Sequence, residues 1–255
     1  MRPQEQTVTG VVLAGGQSRR MGQNKALLPL GGVRLIERVV GVLQQVFSSL
    51  LLVTNSPEVF ADLGLPMVQD VYPGKGSLGG IYSAIYHAPT PYCFVVACDM
   101  PFLHTGVIRF LLEHLGAYDV VMPVVRGEMQ PLHAIYSKAC LAPIARRLEA
   151  NRLKIVEFLP EVRVCTVPEH ALRALDPELR TFQNLNTPEE YAAAPAPPVA
   201  FRLAYARHVL ALRSVDANHV ALGDKLGHLH HQTGFDFGRL HRRRGGGPAQ
   251  CRLGL

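Results

Sequence analysis

The chain has 255 residues, long enough for one sizeable α/β domain with an appendage or for two small domains, and its 48% hydrophobic and 18% charged composition excludes an intrinsically disordered chain. Its net charge of +6 is confined to one end: residues 1–194 hold 17 Lys+Arg and 17 Asp+Glu, whereas residues 195–255 hold 9 against 3. The body therefore lacks the charge surplus of a nucleic-acid-binding face, and with no basic-then-apolar leader or ~20-residue apolar run the expected location is the cytoplasm, away from any membrane.

Short β-branched runs alternate with longer helical periods, the pattern of a layered α/β sheet. The spacing predicts strands at Val8–Ala14, Leu50–Thr54, Pro66–Gln69, Tyr92–Ala97, Asp119–Val125, Leu132–Tyr136 and Arg163–Val167. Helices are predicted at Val33–Phe47, Leu78–His87 (with Ser77 as N-cap), Val107–Leu115, Lys138–Ala150 and Lys154–Leu159. A last one begins at Thr187-Pro188-Glu189-Glu190, with Thr187 as cap and Pro188 in the first turn. The expected architecture is a single Rossmann-like three-layer domain over residues 1–194 with a mostly parallel sheet. Ala192–Pro198 reads as a semi-rigid linker. Beyond it, residues 195–255 read as a basic, His-rich, poorly ordered extension of unknown role. Five scattered cysteines without a C-x-x-C pair support neither a zinc site nor a disulfide framework.

Chemistry enters at the ends of the strands. Val11-Val12-Leu13-Ala14-Gly15-Gly16 runs into a loop carrying Arg19, Arg20, Gly22 and Lys25. Successive backbone N–H groups in a glycine turn form an anion-binding nest, and Arg20 and Lys25 add full charges. This is a phosphate cradle at the carboxyl end of a strand, where open α/β sheets bind ligands. It matches neither G-x-G-x-x-G nor the Walker pattern. Two aspartates follow later strands. Asp99 closes Phe94-Val95-Val96-Ala97-Cys98, where metal binding is the favoured reading over a helix cap or an ion pair. Asp70 reads equally as a ribose ligand, a metal ligand or a turn residue. Asn55 sits at another strand end as a base-reading residue or a turn residue.

With these pieces in place the chain resembles the molybdenum cofactor guanylyltransferase family of the nucleoside-triphosphate transferase group. The resemblance rests on Leu13–Gly22 with Lys25, Pro73-Gly74 leading to Leu78-Gly79-Gly80-Ile81, Cys98-Asp99-Met100-Pro101, Gln130–Tyr136, and Phe182–Glu190. These occur in the family's order and span about residues 8–194. Ser77 stands where the family usually has proline.

The resemblance implies transfer of GMP from GTP to Mo-molybdopterin, giving the guanine dinucleotide and pyrophosphate with Mg²⁺ as cofactor. It implies nucleotide contacts from Leu13, Ala14, Gly15, Gly16, Lys25, Asn55, Asp70 and Asp99, with Asp99 as the metal ligand. Arg20, Lys25 and Asp99 would carry the catalysis, and Gly79, Gly80, Asn184 and Asn186 would lie on the pterin side. Expected partners beyond the substrates are molybdoenzyme chaperones or molybdopterin-delivering proteins. Two alternatives stay open: a cytidylyltransferase on molybdopterin or another phosphorylated small molecule, and a non-catalytic molybdopterin or nucleotide carrier. His133, inside one of the matching stretches, reads as a strand residue.

Overall fold

β1 (Val8–Leu13) is buried along its whole length, as a strand covered on both faces must be. The structure, a computed structural model, describes residues 3–15, 24–194 and 249–250. A two-stranded hairpin comes next, β2 (Pro29–Leu30) with β3 (Val33–Arg34), turning through Gly31 and Gly32 at φ 63° and 84°. Both glycines adopt the positive φ that a two-residue hairpin turn requires. This corrects the expected helix at Val33–Phe47. Val33 and Arg34 are taken by the hairpin, and α1 occupies only Leu35–Leu43, its entry fixed by Arg34 N–H donating to Glu37 Oε2 at 2.8 Å.

The chain continues through β4 (Ser49–Val53), β5 (Met67–Val68), α2 (Gly76–His87), β6 (Tyr92–Ala97) and α3 (Thr105–Leu112). It goes on to β7 (Val120–Val125), β8 (Glu128–Met129), β9 (His133–Ser137) and α4 (Leu141–Glu149). β10 (Val164–Val167), α5 (Glu169–Arg173), α6 (Pro188–Ala193) and β11 (Ala249–Gln250) complete it. Ser77 does not cap α2 as expected. Lys75 holds the N-cap position without a side-chain cap, because Gly76 already begins the first turn. The segment at Ile155–Glu161 is a 3-10 helix containing Pro160 rather than an α-helix. At Thr187 the expected capping box is present, with Glu190 N–H donating to Thr187 Oγ1 at 3.2 Å and Thr187 N–H to Glu190 Oε2 at 3.1 Å.

The main sheet has the order β11-β10-β7-β9-β6-β1-β4-β5, with β8 paired to β7. Every strand along that order runs the same way except β9, which is antiparallel to both β6 and β7. The carboxyl ends of β1, β4, β5, β6 and β7 therefore share one edge. Alternate side chains divide the core into two layers. Val8, Val12, Phe94 and Val96 pack with α1 and α3 on one face, and Val11, Leu13, Cys93 and Val95 pack with α2 and α4 on the other. This is the three-layer sandwich the pattern implied.

No helix among the described residues is long and apolar enough to cross a membrane. Of the extension after Ala194, only Ala249–Gln250 is described, as a short parallel strand beside Cys165–Thr166. Cys93, Cys98 and Cys140 are free thiols.

Candidate active site

The shared carboxyl edge carries two clusters, one on each side of the end of β1. On the β4–β5 side, Ala14 N–H donates to Val53 O at 2.9 Å and Thr54 Oγ1 to Ala14 O at 3.4 Å, which draws the chain after β1 against the end of β4. A Cβ built on Gly15 would lie 4.0 Å from Asp70 Oδ2, so this backbone and that carboxylate share one space. Asn55 Nδ2 donates to Asp70 Oδ2 at 2.7 Å, and Asp70 N–H returns a bond to Asn55 Oδ1 at 3.0 Å. The buried hydroxyl of Ser83 on α2 stands 3.5 Å from Asp70 Oδ1 and accepts from Val71 N–H at 2.9 Å. Asp70 and Asn55 thus form one oriented polar unit at the rim, held by a helix beneath it.

On the β6 side, Cys98 N–H donates to Leu13 O at 3.2 Å and carries the chain past β1 to Asp99. Asp99 is half-buried, and that burial raises its carboxyl above the usual range, with the positive charge of Lys25 and a backbone hydrogen bond opposing the shift. Asn184 Nδ2 donates to Asp99 Oδ1 at 3.4 Å, and Lys25 Nζ donates to Asn186 Oδ1 at 3.1 Å. Lys25, Asp99, Asn184 and Asn186, drawn from three distant stretches of chain, therefore meet in one place. Asp99 is the N-cap of none of the described helices, the next of which, α3, is entered from His104.

One apolar residue organises this second cluster. Leu185, 2% exposed, sits between the two asparagines and buries against Leu30 and Leu35, with Leu28, Phe102 and Tyr191 packed around them. Its N–H donates to Asp99 O at 3.0 Å. Leu28 and Leu30 follow directly from the short 3-10 turn that bears Lys25, itself capped by Asn24 accepting from Ala26 N–H at 3.1 Å. Phe102, on the loop after Asp99, lies against the guanidinium groups of Arg38 and Arg180 at 5.3 and 5.7 Å. A single plug thus joins the lysine segment, the aspartate loop and the asparagine segment.

The remaining expected residues are placed as follows. Gly16 and Arg20 lie outside the described residues. Leu13 points its side chain into the core, leaving its backbone at the edge. Gly79 and Gly80 are buried in α2, where a Cβ would approach Tyr72 O at 3.1 Å and Leu13 Cδ1 at 3.2 Å. Their bareness lets the helix lie against its own entry loop and against β1. His133 is a strand residue, as expected. It is fully buried against Phe94 and Phe182 at ring distances of 5.0 and 4.7 Å, and burial lowers its pKa to about 3, so it stays neutral. The Cys98 thiol is pushed up to about 12 by burial and is not a nucleophile. Ser83, Asn24 and Leu185 escape sequence reading. Ser83 is one polar residue in an apolar helix, and Leu185 looks like any leucine.

The donor set fits a hard divalent cation: a carboxylate that accepts from Asn184, beside a lysine suited to phosphate oxygens. Among the described residues no group of three or more His, Cys, Asp or Glu forms a closed metal cage. A cation here would be shared between Asp99 and the phosphates of a nucleotide.

The MobA-like NTP transferase domain family matches residues 10–164. A probable molybdenum cofactor guanylyltransferase of Pelotomaculum thermopropionicum is 45% identical over 186 residues, covering 73% of this chain and 91% of its own. The molybdenum cofactor guanylyltransferase of Desulfosudis oleivorans is 39% identical over 198 residues, covering 77% and 98%. Among solved structures, molybdopterin-guanine dinucleotide biosynthesis protein A from Archaeoglobus fulgidus superposes with a TM-score of 0.64 at 29% identity, covering 72% of this chain and 95% of that one. The match includes the β1 loop, both aspartate strands and the sheet that aligns them, and the chain belongs to the MobA-like NTP transferase family.

Proposed function

We propose that this site transfers GMP from GTP to the terminal phosphate of Mo-molybdopterin, forming molybdopterin guanine dinucleotide and releasing pyrophosphate. The observation that carries the reading is the meeting of Lys25 and Asp99 through Asn186 and Asn184, which brings a cation and a carboxylate to one end of the sheet beside the β1 loop. Relatives of the chain named as guanylyltransferases support the same choice of nucleotide.

A phosphate oxygen of molybdopterin attacks the α-phosphorus of GTP, and the bond from that phosphorus to the β-bridging oxygen breaks in line. The electron pair leaves on pyrophosphate. No general base is needed, because a phosphate monoester with a second pKa near 6 is already an anionic nucleophile at neutral pH. Catalysis then rests on positioning and charge neutralisation. The backbone of Leu13, Ala14 and Gly15, with the Asn55–Asp70 unit, receives the guanosine. Lys25, with Arg20 and Gly16, neutralises charge growing on the leaving pyrophosphate. Asp99 would hold Mg²⁺, which would supply Lewis-acid polarisation of the α-phosphate. Asn184 and Asn186 face the second substrate while keeping Asp99 and Lys25 in place. Gly79 and Gly80 keep the α2 entry loop close enough to border it.

The test is pyrophosphate release by the purified chain with molybdopterin, Mg²⁺ and each of GTP, CTP and UTP. The reading expects turnover with GTP to exceed the others. Equal or greater turnover with CTP would move the assignment to a cytidylyltransferase, and binding without turnover would make the chain a carrier.

A further inference from the structure

Ser83 lies in the middle of α2 and is fully buried, in a helix whose other buried side chains, Leu78, Ile81, Ala84 and Ile85, are apolar. A polar atom in that setting must find hydrogen-bond partners. The simplest is the carbonyl one helical turn back, and Ser83 Oγ donates to Gly79 O at 2.8 Å. That bond alone satisfies the proton. The oxygen does more: it accepts from Val71 N–H at 2.9 Å and stands 3.5 Å from Asp70 Oδ1, both outside the helix.

A serine hydroxyl has one proton and two lone pairs. While the proton stays on Gly79 O, a lone pair holds Val71 N–H, and the proton reaches the Asp70 carboxylate only by leaving the helix carbonyl. Asp70 Oδ2 is already engaged by Asn55 Nδ2 at 2.7 Å, so Oδ1 is the oxygen that turns toward Ser83. The carboxylate is thus fixed by Asn55 on one oxygen, by Ser83 beside the other, and by the pinned N–H of the residue that follows it. The loop beyond is tied to the same turn of α2. Gly79 N–H donates to Lys75 O at 3.3 Å, and a Cβ on Gly79 would lie 3.1 Å from Tyr72 O.

We infer that Ser83 is a positioning residue for the nucleotide: its hydroxyl sets the direction of the Asp70 carboxylate and the path of the chain leaving it. Being fully buried, Ser83 itself touches no substrate. This role rests on the transfer reading above, in which Asp70 meets the guanosine, and adds to it the group that aims Asp70.

Ser83→Ala removes the hydroxyl and puts a better helix former in its place, so the fold is expected to survive. GTP binding is measured by calorimetric titration of the purified chain with Mg²⁺ and without molybdopterin, and steady-state constants are measured alongside. The Kd and KM for GTP are expected to rise about 5- to 10-fold, as for loss of one orienting hydrogen bond. The kcat at saturation and the KM for molybdopterin should stay within about twofold of wild type. Unchanged GTP binding, or a fall in kcat with an equal rise in both KM values, is what a merely structural serine gives, and either overturns the assignment. In an Asp70→Ala background, Ser83→Ala should weaken GTP binding by no more than about twofold, because the group it aims is gone. The full rise in that background refutes action through Asp70.

The same variants keep the two readings apart. Weakened GTP binding in Asp70→Ala but not in Ser83→Ala leaves the transfer reading standing and refutes the positioning role. Asp70→Ala that binds GTP like wild type removes Asp70 from the nucleotide site, and the role of Ser83 with it. If Ser83→Ala melts well below wild type, Ser83→Thr and Ser83→Val, matched in shape and differing in the hydroxyl, make the comparison instead. Tighter GTP binding by Ser83→Thr is expected, and equal binding by the two refutes the role.

Discussion

Asp99 is where stability and function pull apart most clearly. Burial raises its pKa, so the folded chain binds this proton more tightly than the unfolded chain does. Ionised Asp99 therefore costs stability above its folded pKa, and the cost disappears as pH falls through that value toward the unfolded ~3.9. Asp99→Asn removes the charge and keeps the shape. Without nucleotide or Mg²⁺ we expect its thermal midpoint to exceed wild type at about pH 8, with the difference vanishing below roughly pH 4. The same variant is expected to lose roughly 10²–10³-fold in turnover, and Lys25→Ala a comparable amount, because each removes charge stabilisation of the transferring phosphates. Melting curves across pH and pyrophosphate release measure the two halves. Asp99, Asp70 and Asn55 were legible in the sequence because a polar residue just after an apolar strand stands out against it, and Lys25 because it stands in a glycine-rich loop after the first strand. The bond between Asn55 and Asp70, and the Ser83 hydroxyl beneath, were not, since they join residues 12 to 15 apart whose mutual orientation depends on how α2 packs.

Among the elements, the segment that turns back under the site depends on one apolar side chain. Leu185 anchors Asn184 and Asn186 in the small cluster shared with the β2–β3 hairpin and Phe102. Leu185→Ala is expected to cost ~2–3 kcal/mol by denaturant unfolding, the low end for a buried leucine because the cluster is small. Turnover should fall further than that loss of folded protein explains. If Leu185 acts through the asparagines, adding Leu185→Ala to Asn184→Ala/Asn186→Ala lowers kcat/KM no further, and a full additive loss would contradict this coupling. The hairpin itself escaped the sequence reading because Val33 and Arg34 continue the helical period of Leu35–Leu43, and the turn signal Gly31-Gly32 was outweighed by that period. The strands were more legible, since β1, β4 and β6 are continuous β-branched or apolar runs with no competing period. The antiparallel direction of β9 was not, because strand direction is a property of connections and not of composition.

Across the whole molecule, charge and fold divide at the same place. The balanced residues 1–194 contain both core layers and every described residue assigned to the site, and α6 ends at Ala193. A chain ending at Ala194 is therefore expected to keep its turnover within about twofold of full length, as for removal of a terminal segment that adds little buried backbone. The only described contact from beyond that point is the pairing of Ala249–Gln250 with β10, at the sheet edge farthest from β5. A truncated chain that folds yet loses turnover would assign the extension a part in the reaction.

The most direct test of the account follows the label of α-phosphate-labelled GTP incubated with molybdopterin and Mg²⁺. Wild type should place the label in a dinucleotide product in step with unlabelled pyrophosphate, and both Lys25→Ala and Asp99→Asn should suppress it together. Label that stays in free nucleotide with wild type, or that reaches the dinucleotide undiminished in either variant, would contradict the claim that these two side chains grip one transferring GTP.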